Sequence, residues 1–165
     1  MLVMALSMAS FAQQDKSKRA SPPDSTFVTT EDGVSIAIHY SKPSLKGRQI
    51  GVDVAPFGKV WRTGANEATT FEVDKDVLVQ GQPLPAGKYG LYSIPGEDNV
   101  TIIFNKAWNQ WGTVYDETQD ALRVNVTPVE YGQSTEQFTI QADKSGTVSL
   151  LWGAYSVPFT VKAAK

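Results

Sequence analysis

The sequence predicts an all-β fold, an antiparallel β-sandwich of about nine short strands. Apolar and polar residues alternate with period two along most of the chain after residue 25. Glycine, proline and aspartate recur between the alternating segments at spacings of about 8–12 residues, as turns between strands require. No stretch longer than about ten residues has a helical period. The 165 residues suffice for one domain, predicted over residues 26–165.

The N-terminal segment has a different composition. Residues 1–12 are an apolar run ending in Ala-Ser-Phe-Ala, which fits a signal peptide cleaved after Ala12 and is too short to span a bilayer. The alternative is a buried N-terminal strand or helix. Residues 13–25 are polar and predict a flexible leader, because they cannot bury enough apolar surface to offset their ordering entropy. We therefore expect a periplasmic or secreted protein with no transmembrane span.

The predicted domain begins with a hairpin. Residues 26–30 pair with residues 34–40 through the Asp32-Gly33 turn, and apolar side chains at alternate positions of the second strand share one face. Residues 69–73 form the next strand, with Phe71 and Val73 buried. Alternating segments then continue to the C-terminus, and Trp152 is expected in the core.

One short helical turn is predicted near residues 105–112. Asn105 would cap it, and Gly112 would end it in the left-handed conformation. Trp108 and Trp111 would share a face of this turn. Such a pair either lines a ligand site or closes one end of the sandwich.

Composition excludes several classes of chemistry. The chain has no cysteine, so thiolate catalysis, disulfides and thiolate-bound metals are excluded. The net charge of −2 gives no global electrostatic reason to expect nucleic acid as a partner. His39 is the only histidine, and neither a G-x-S-x-G motif nor a calcium-loop pattern is present. We therefore expect an incidental strand histidine, with no metal and no cofactor.

The candidate ligand-binding residues lie in two regions. One is the stretch over residues 42–62, which is rich in lysine and arginine, together with the loop over residues 61–68 that enters the next strand. The other is the predicted turn with its two tryptophans. Arg62 would donate to an anion or a carbonyl, while Asn66 and Glu67 would form directional hydrogen bonds. A loop that satisfies its own polar groups explains these residues about as well. The full candidate set is Lys46, Arg48, Trp61, Arg62, Asn66, Glu67, Trp108 and Trp111.

Several long motifs carry a family resemblance. They are "YSKPSLKGRQI", "PFGKVWRTGANEAT", "LPAGKYGLYSIPGE", "TIIFNKAWNQWG" and "DALRV", and they occur in order between Ile36 and Phe159. Together they resemble the exported bacterial family known as domain of unknown function 2911. The resemblance implies a secreted or periplasmic all-β domain, and it implies no activity and no residue roles.

Three classes of function are compatible with these residues. The leading hypothesis is a non-catalytic β-sandwich of the cell envelope that binds a small molecule, a glycan or a protein partner. The first alternative is a hydrolase with Glu67 as general base, helped by His39 or Arg62. The second is a structural or assembly protein that pairs through an exposed strand edge.

Overall fold

The computed structural model describes residues 15–165, and the predicted signal peptide lies outside these residues. Two antiparallel sheets pack face to face, which confirms the predicted all-β sandwich. The strands are β1 (Pro23–Thr29), β2 (Ser35–Ser41), β3 (Thr70–Val73), β4 (Val77–Val79), β5 (Gln82–Leu84), β6 (Gly87–Ile94), β7 (Val100–Asn105), β8 (Asp120–Val126), β9 (Val129–Ala142) and β10 (Thr147–Ala163). Two single 3-10 turns, Lys16–Lys18 and Glu117–Gln119, are the helical elements among the described residues, and neither is long enough to cross a membrane.

The two sheets have different sizes and connections. The six-stranded sheet has the order β1-β2-β3-β6-β7-β8, and the four-stranded sheet has the order β5-β4-β10-β9. The predicted first hairpin is confirmed, because β1 pairs with β2 and Thr26 lies opposite Ile38. The core fills the space between the sheets. Its centre is Phe71 of β3, whose ring packs against Phe104 of the same sheet and Phe159 of the other.

Strand β10 is strongly bent. Its register with β9 shifts on both sides of Gly153, where β-bulges turn the strand. The bend brings the end of the strand back to its beginning, so that the Val161 N–H donates to the carbonyl of Gly146 at 2.7 Å. Strand β10 thereby pairs first with β9 and then with β4.

The predicted helical turn near residues 105–112 is wrong. Asn105 is the last residue of β7. Its side-chain carbonyl accepts from the Ala107 N–H and its amide donates to Asp120 Oδ1, but no helical turn follows over residues 106–112. The Gly112 N–H donates to the carbonyl of Asn66, and Gly112 does not have a positive φ. Because the N–H groups of Lys106 and Gly112 and the carbonyl of Gln110 bond to residues outside this segment, these groups are not available for a helical turn.

The structure places the later part of the predicted leader against the domain. Strand β1 begins at Pro23, inside the expected leader. Before it, Arg19 forms an ion pair with Glu67, and the side-chain amide of Asn66 donates to the carbonyl of Ser21. Polar contacts, which the hydropathy of a segment does not measure, hold these residues in place.

The connection over residues 42–69 joins β2 to β3 and spans both sheets. Ser44 pairs with Gln137 of β9 in the four-stranded sheet. Trp61 pairs with Ser93 of β6 in the six-stranded sheet through two backbone hydrogen bonds of 2.7 and 2.9 Å. This connection, called the 42–69 loop below, is therefore fixed at both sheets and positions the candidate site.

Candidate functional site

A pocket of about 530 Å³ lies between the two sheets and the 42–69 loop. Its aromatic floor consists of Trp61, Phe138 and Trp152. The Trp61 and Trp152 rings stack with centroids 5.4 Å apart and planes 11° apart. The Phe138 ring meets Trp61 edge-on at 5.1 Å and Trp152 at 5.8 Å. The four-stranded sheet, through Phe138 and Trp152, and the loop, through Trp61, thus form one continuous aromatic cluster, in which Phe138 and Trp152 are almost fully buried.

The walls of the pocket are mainly apolar. Its volume falls within the range of about 300–1,000 Å³ that is usual for small-molecule sites. Phe57 and Tyr155 stand at its mouth, since both line the pocket and remain 40% and 51% exposed. The other apolar wall residues include Leu45, Ile50, Ala55, Val100, Leu150 and Val157.

Few polar side chains line the pocket. They are Arg48, Gln49, Ser93 and Glu97. The Arg48 guanidinium donates through Nε to the Leu45 carbonyl at 3.0 Å and through Nη2 to the Ser44 carbonyl at 2.7 Å. These two bonds orient the guanidinium of Arg48, an exposed residue, at the side of the apolar cavity.

A second group of polar residues lies elsewhere, around Glu67. The Glu67 carboxylate contacts Lys16 Nζ and Arg19 Nη1, each at 2.9 Å. Arg62 donates to the carbonyl of Asn66 at 3.1 Å. Its guanidinium also lies 5.8 Å from the ring centroid of Trp111. We call this group the Glu67 cluster, and its polar side chains bind one another or the backbone.

The structure does not bring the eight predicted site residues together. Arg48 and Trp61 line the pocket, whereas Arg62, Asn66, Glu67 and Trp111 belong to the Glu67 cluster. Lys46 and Trp108 lie in neither place. Lys46 is exposed and its backbone N–H donates to Glu136, while Trp108 is covered on one face by the Lys88 ammonium at 4.1 Å from its ring centroid.

Most residues that line the pocket were not predicted from the sequence as site residues. Phe138 and Leu150 follow the ordinary strand alternation, which predicts burial and does not distinguish a core position from a pocket wall. One local signal was present. A glycine directly after Trp152 indicates a bulge, and the register between β10 and β9 shifts there.

His39 lies apart from both groups. Its Nδ1 is 2.7 Å from Ser25 Oγ, and its ring meets Phe27 edge-on. Ser35 and Ser41, the serines of the same strand, form no hydrogen bond with His39 within residues 15–165. Over the same residues no carboxylate is hydrogen-bonded to His39, and no three His, Asp or Glu side chains are grouped closely enough to hold a metal ion.

The protonation of Glu67 reflects its ion pairs. Partial burial raises the pKa of this carboxyl, but the hydrogen bond from Lys16, the backbone N–H, the hydrogen bond from Arg19 and the Lys16 charge together outweigh it. The pKa of Glu67 is lowered from 4.5 to about 2. Glu67 is therefore a paired carboxylate at neutral pH.

Replacing Glu67 by glutamine should lower the free energy of unfolding at neutral pH by about 1 kcal/mol, a value reduced by solvent screening of the part-exposed pair. Because the pKa is lower in the folded state, the stabilisation is present above about pH 4.5 and is lost as the pH falls toward 2. Urea unfolding of the wild type and E67Q across this range measures the difference. The matched control is E72Q at an exposed strand position. A wild-type advantage over E67Q that persists unchanged at pH 2 contradicts the assignment.

The family model described as "Protein of unknown function (DUF2911)" matches residues 21–161. The chain belongs to the DUF2911 family. The family resemblance found in the sequence motifs is thereby confirmed. The region matched to DUF2911 includes all the residues that line the pocket, whereas Lys16 and Arg19 of the Glu67 cluster precede it. No curated protein and no solved structure matches the chain.

Proposed function

We propose that this DUF2911 protein is an exported, non-catalytic β-sandwich that binds a small molecule in the pocket between its sheets. The observation that carries the proposal is the aromatic floor of Trp61, Phe138 and Trp152 within a cavity of about 530 Å³. Flat aromatic surfaces with a few polar groups beside them are typical of small-molecule sites. The apolar run over residues 1–12 supports export.

The backbone of the 42–69 loop supports a pocket that exists before the ligand arrives. The carbonyl of Gln49 accepts hydrogen bonds from Asp53 and Val54, and the Gly58 N–H donates to Pro95 beside β6. The two bonds between Trp61 and Ser93 hold the aromatic floor against the sheet. Binding to such a loop avoids most of the entropy cost of ordering it.

The hydrolase alternative receives less support. A general base works best when its pKa lies near the operating pH, and Glu67 has a pKa of about 2. Its oxygens are bound to Lys16 and Arg19. Among residues 15–165 no hydrogen bond joins Glu67 to His39 or to Arg62, the two helpers considered from the sequence.

The assembly alternative depends on a free strand edge. The edge strands of the two sheets are β1, β8, β5 and β9, and the 42–69 loop covers part of β9. The Leu45 N–H donates to the Glu136 carbonyl, and the Phe138 N–H donates to the Pro43 carbonyl. These bonds occupy backbone groups that edge-to-edge pairing needs.

A pocket-filling variant tests the proposal. Leu45→Trp places a large ring in the wall of the pocket, and we expect it to weaken binding of the neutral fluorescent probe N-phenyl-1-naphthylamine by about tenfold or more, because the ring occupies volume that the probe needs. The matched control is Leu78→Trp. Leu78 lies between the buried Val77 and Val79 of β4, faces away from the core and does not line the pocket.

Fluorescence titration of the three proteins gives the result. We expect saturable binding of equal affinity by the wild type and L78W, and weaker binding by L45W. Equal affinity in all three proteins, or no saturable binding by the wild type, contradicts the proposed site. Urea unfolding of both variants checks that each retains its fold.

A further inference from the structure

We propose that the ligand is an amphipathic monocarboxylate, with its apolar body on the aromatic floor and its carboxylate on Arg48. This inference rests on the proposed function and adds the chemical class of the ligand. It combines two features of the pocket. One is the mainly apolar wall, and the other is a cation of fixed orientation beside it.

Arg48 has donor groups that remain available. Its bonds to the Ser44 and Leu45 carbonyls use Nε and Nη2, and within residues 15–165 its Nη1 donates to no protein acceptor. Guanidinium groups present a planar fork of N–H donors that matches a carboxylate. Because the two carbonyls already hold the side chain, little rotamer entropy is lost when an anion binds.

Among the described residues Arg48 lacks a carboxylate partner, unlike the two cations Lys42 and Arg123. Lys42 pairs with Asp24 at 3.0 Å, and Arg123 pairs with Asp120 at 2.7 Å. Over the described part of the chain Arg48 forms no ion pair, although it is the cation that lines the pocket. The positive charge beside the cavity is therefore not neutralised by a protein carboxylate in contact with it.

Glu97 favours a ligand with a single negative charge. It is the carboxylate among the pocket-lining residues of the described chain, and it is exposed and without an ion pair there. A second anionic group on the ligand would meet its repulsion. One carboxylate neutralises the charge of Arg48, whereas a phosphate monoester or a dicarboxylate carries more negative charge than Arg48 neutralises.

Matched pairs of ligands and variants test this inference. The ligands are 2-naphthoate and its neutral isostere 2-naphthamide, together with decanoate and decanamide, which separate a ring from an aliphatic chain as the apolar body. The proteins are the wild type, Arg48→Gln and the control Lys46→Gln. Lys46 carries the same charge two residues away but does not line the pocket. Isothermal titration calorimetry at low salt gives each affinity.

We expect the wild type to bind the carboxylate of at least one pair about tenfold more tightly than its amide. R48Q should lose this preference and keep the affinity for the amide, which shows that its loop remains intact. K46Q should behave as the wild type. The inference is overturned by equal wild-type affinity for carboxylate and amide, by a preference that survives in R48Q, or by loss of both ligands in R48Q.

The two proposals fail in different ways. If the wild type binds N-phenyl-1-naphthylamine and the amides but shows no preference for a carboxylate, the pocket is a binding site and only the ligand class is wrong. If the wild type binds none of these compounds, the proposed function fails and the inference fails with it.

Discussion

Replacing Trp152 by alanine is expected to lower the free energy of unfolding by about 3–5 kcal/mol. Trp152 is only 5% exposed, and it stacks on Trp61 and meets Phe138 edge-on. Its Nε1 donates to the Glu136 carbonyl at 3.1 Å. The substitution removes the indole from the aromatic floor, leaves a cavity and removes one of the two donors to the Glu136 carbonyl, which keeps the Leu45 N–H. All three effects destabilise the folded state. Urea unfolding measures the loss.

Trp111→Ala is the matched control for this variant. The Trp111 side chain is 48% exposed, and its main contact is the Arg62 guanidinium over its ring. Removing it should cost about 1 kcal/mol or less. Similar losses in W152A and W111A would show that the aromatic floor does not stabilise the packing of the 42–69 loop on the four-stranded sheet.

The second large effect is expected for Gly146→Ala. Gly146 precedes β10 and has a φ of +88°. A Cβ there would lie 2.1 Å from the carbonyl oxygen of Val161, which is backbone held in place by its own bond to Gly146. The left-handed conformation costs about 1–2 kcal/mol for a residue with a Cβ, and the overlap costs about 1–3 kcal/mol more. We therefore expect a loss of about 3 kcal/mol in the free energy of unfolding.

Gly81→Ala separates these two contributions. Gly81 has a φ of +78°, and an added Cβ meets nothing within 4 Å. In the same urea experiment, the G81A variant should lose about 1 kcal/mol of unfolding free energy, because only the left-handed backbone conformation is strained. If G146A is no less stable than G81A, the bent strand β10 does not bring its two ends into the contact described above.

Strand alternation made the sandwich predictable. The side chains of residues 34, 36, 38 and 40 alternate cleanly, and all four are buried. Phe71 and Val73 are buried as expected. These predictions succeed because period-two patterning records which face of a strand meets the core, and the core of a sandwich is continuous.

The helical turn near Asn105 failed for a different reason. A capping residue followed by a glycine is a local signal, and a distant segment overrode it. The backbone of Gln110 and Gly112 bonds to Ala68 and Asn66 instead. Local capping rules do not include the loop that competes for the same N–H and carbonyl groups.

The site was only partly predictable. Charged and polar residues in one short stretch, such as Arg62, Asn66 and Glu67, were predicted to form a site because such residues often serve function. Here they bind one another, the backbone and the N-terminal segment. The pocket depends on apolar residues that are far apart in the chain, and Trp61 was the one member of its floor that the sequence singled out as a ligand-binding residue.

That separation along the chain links binding to the stability of the whole domain. Trp61 of the loop pairs with β6 of the six-stranded sheet, and Phe138 lies on β9 of the four-stranded sheet. Their rings therefore meet only when both sheets are docked. A ligand in this pocket therefore binds the folded state and has no site in the unfolded chain. By mass action, a ligand present at one hundred times its dissociation constant adds about 2.7 kcal/mol to the unfolding free energy of the entire domain.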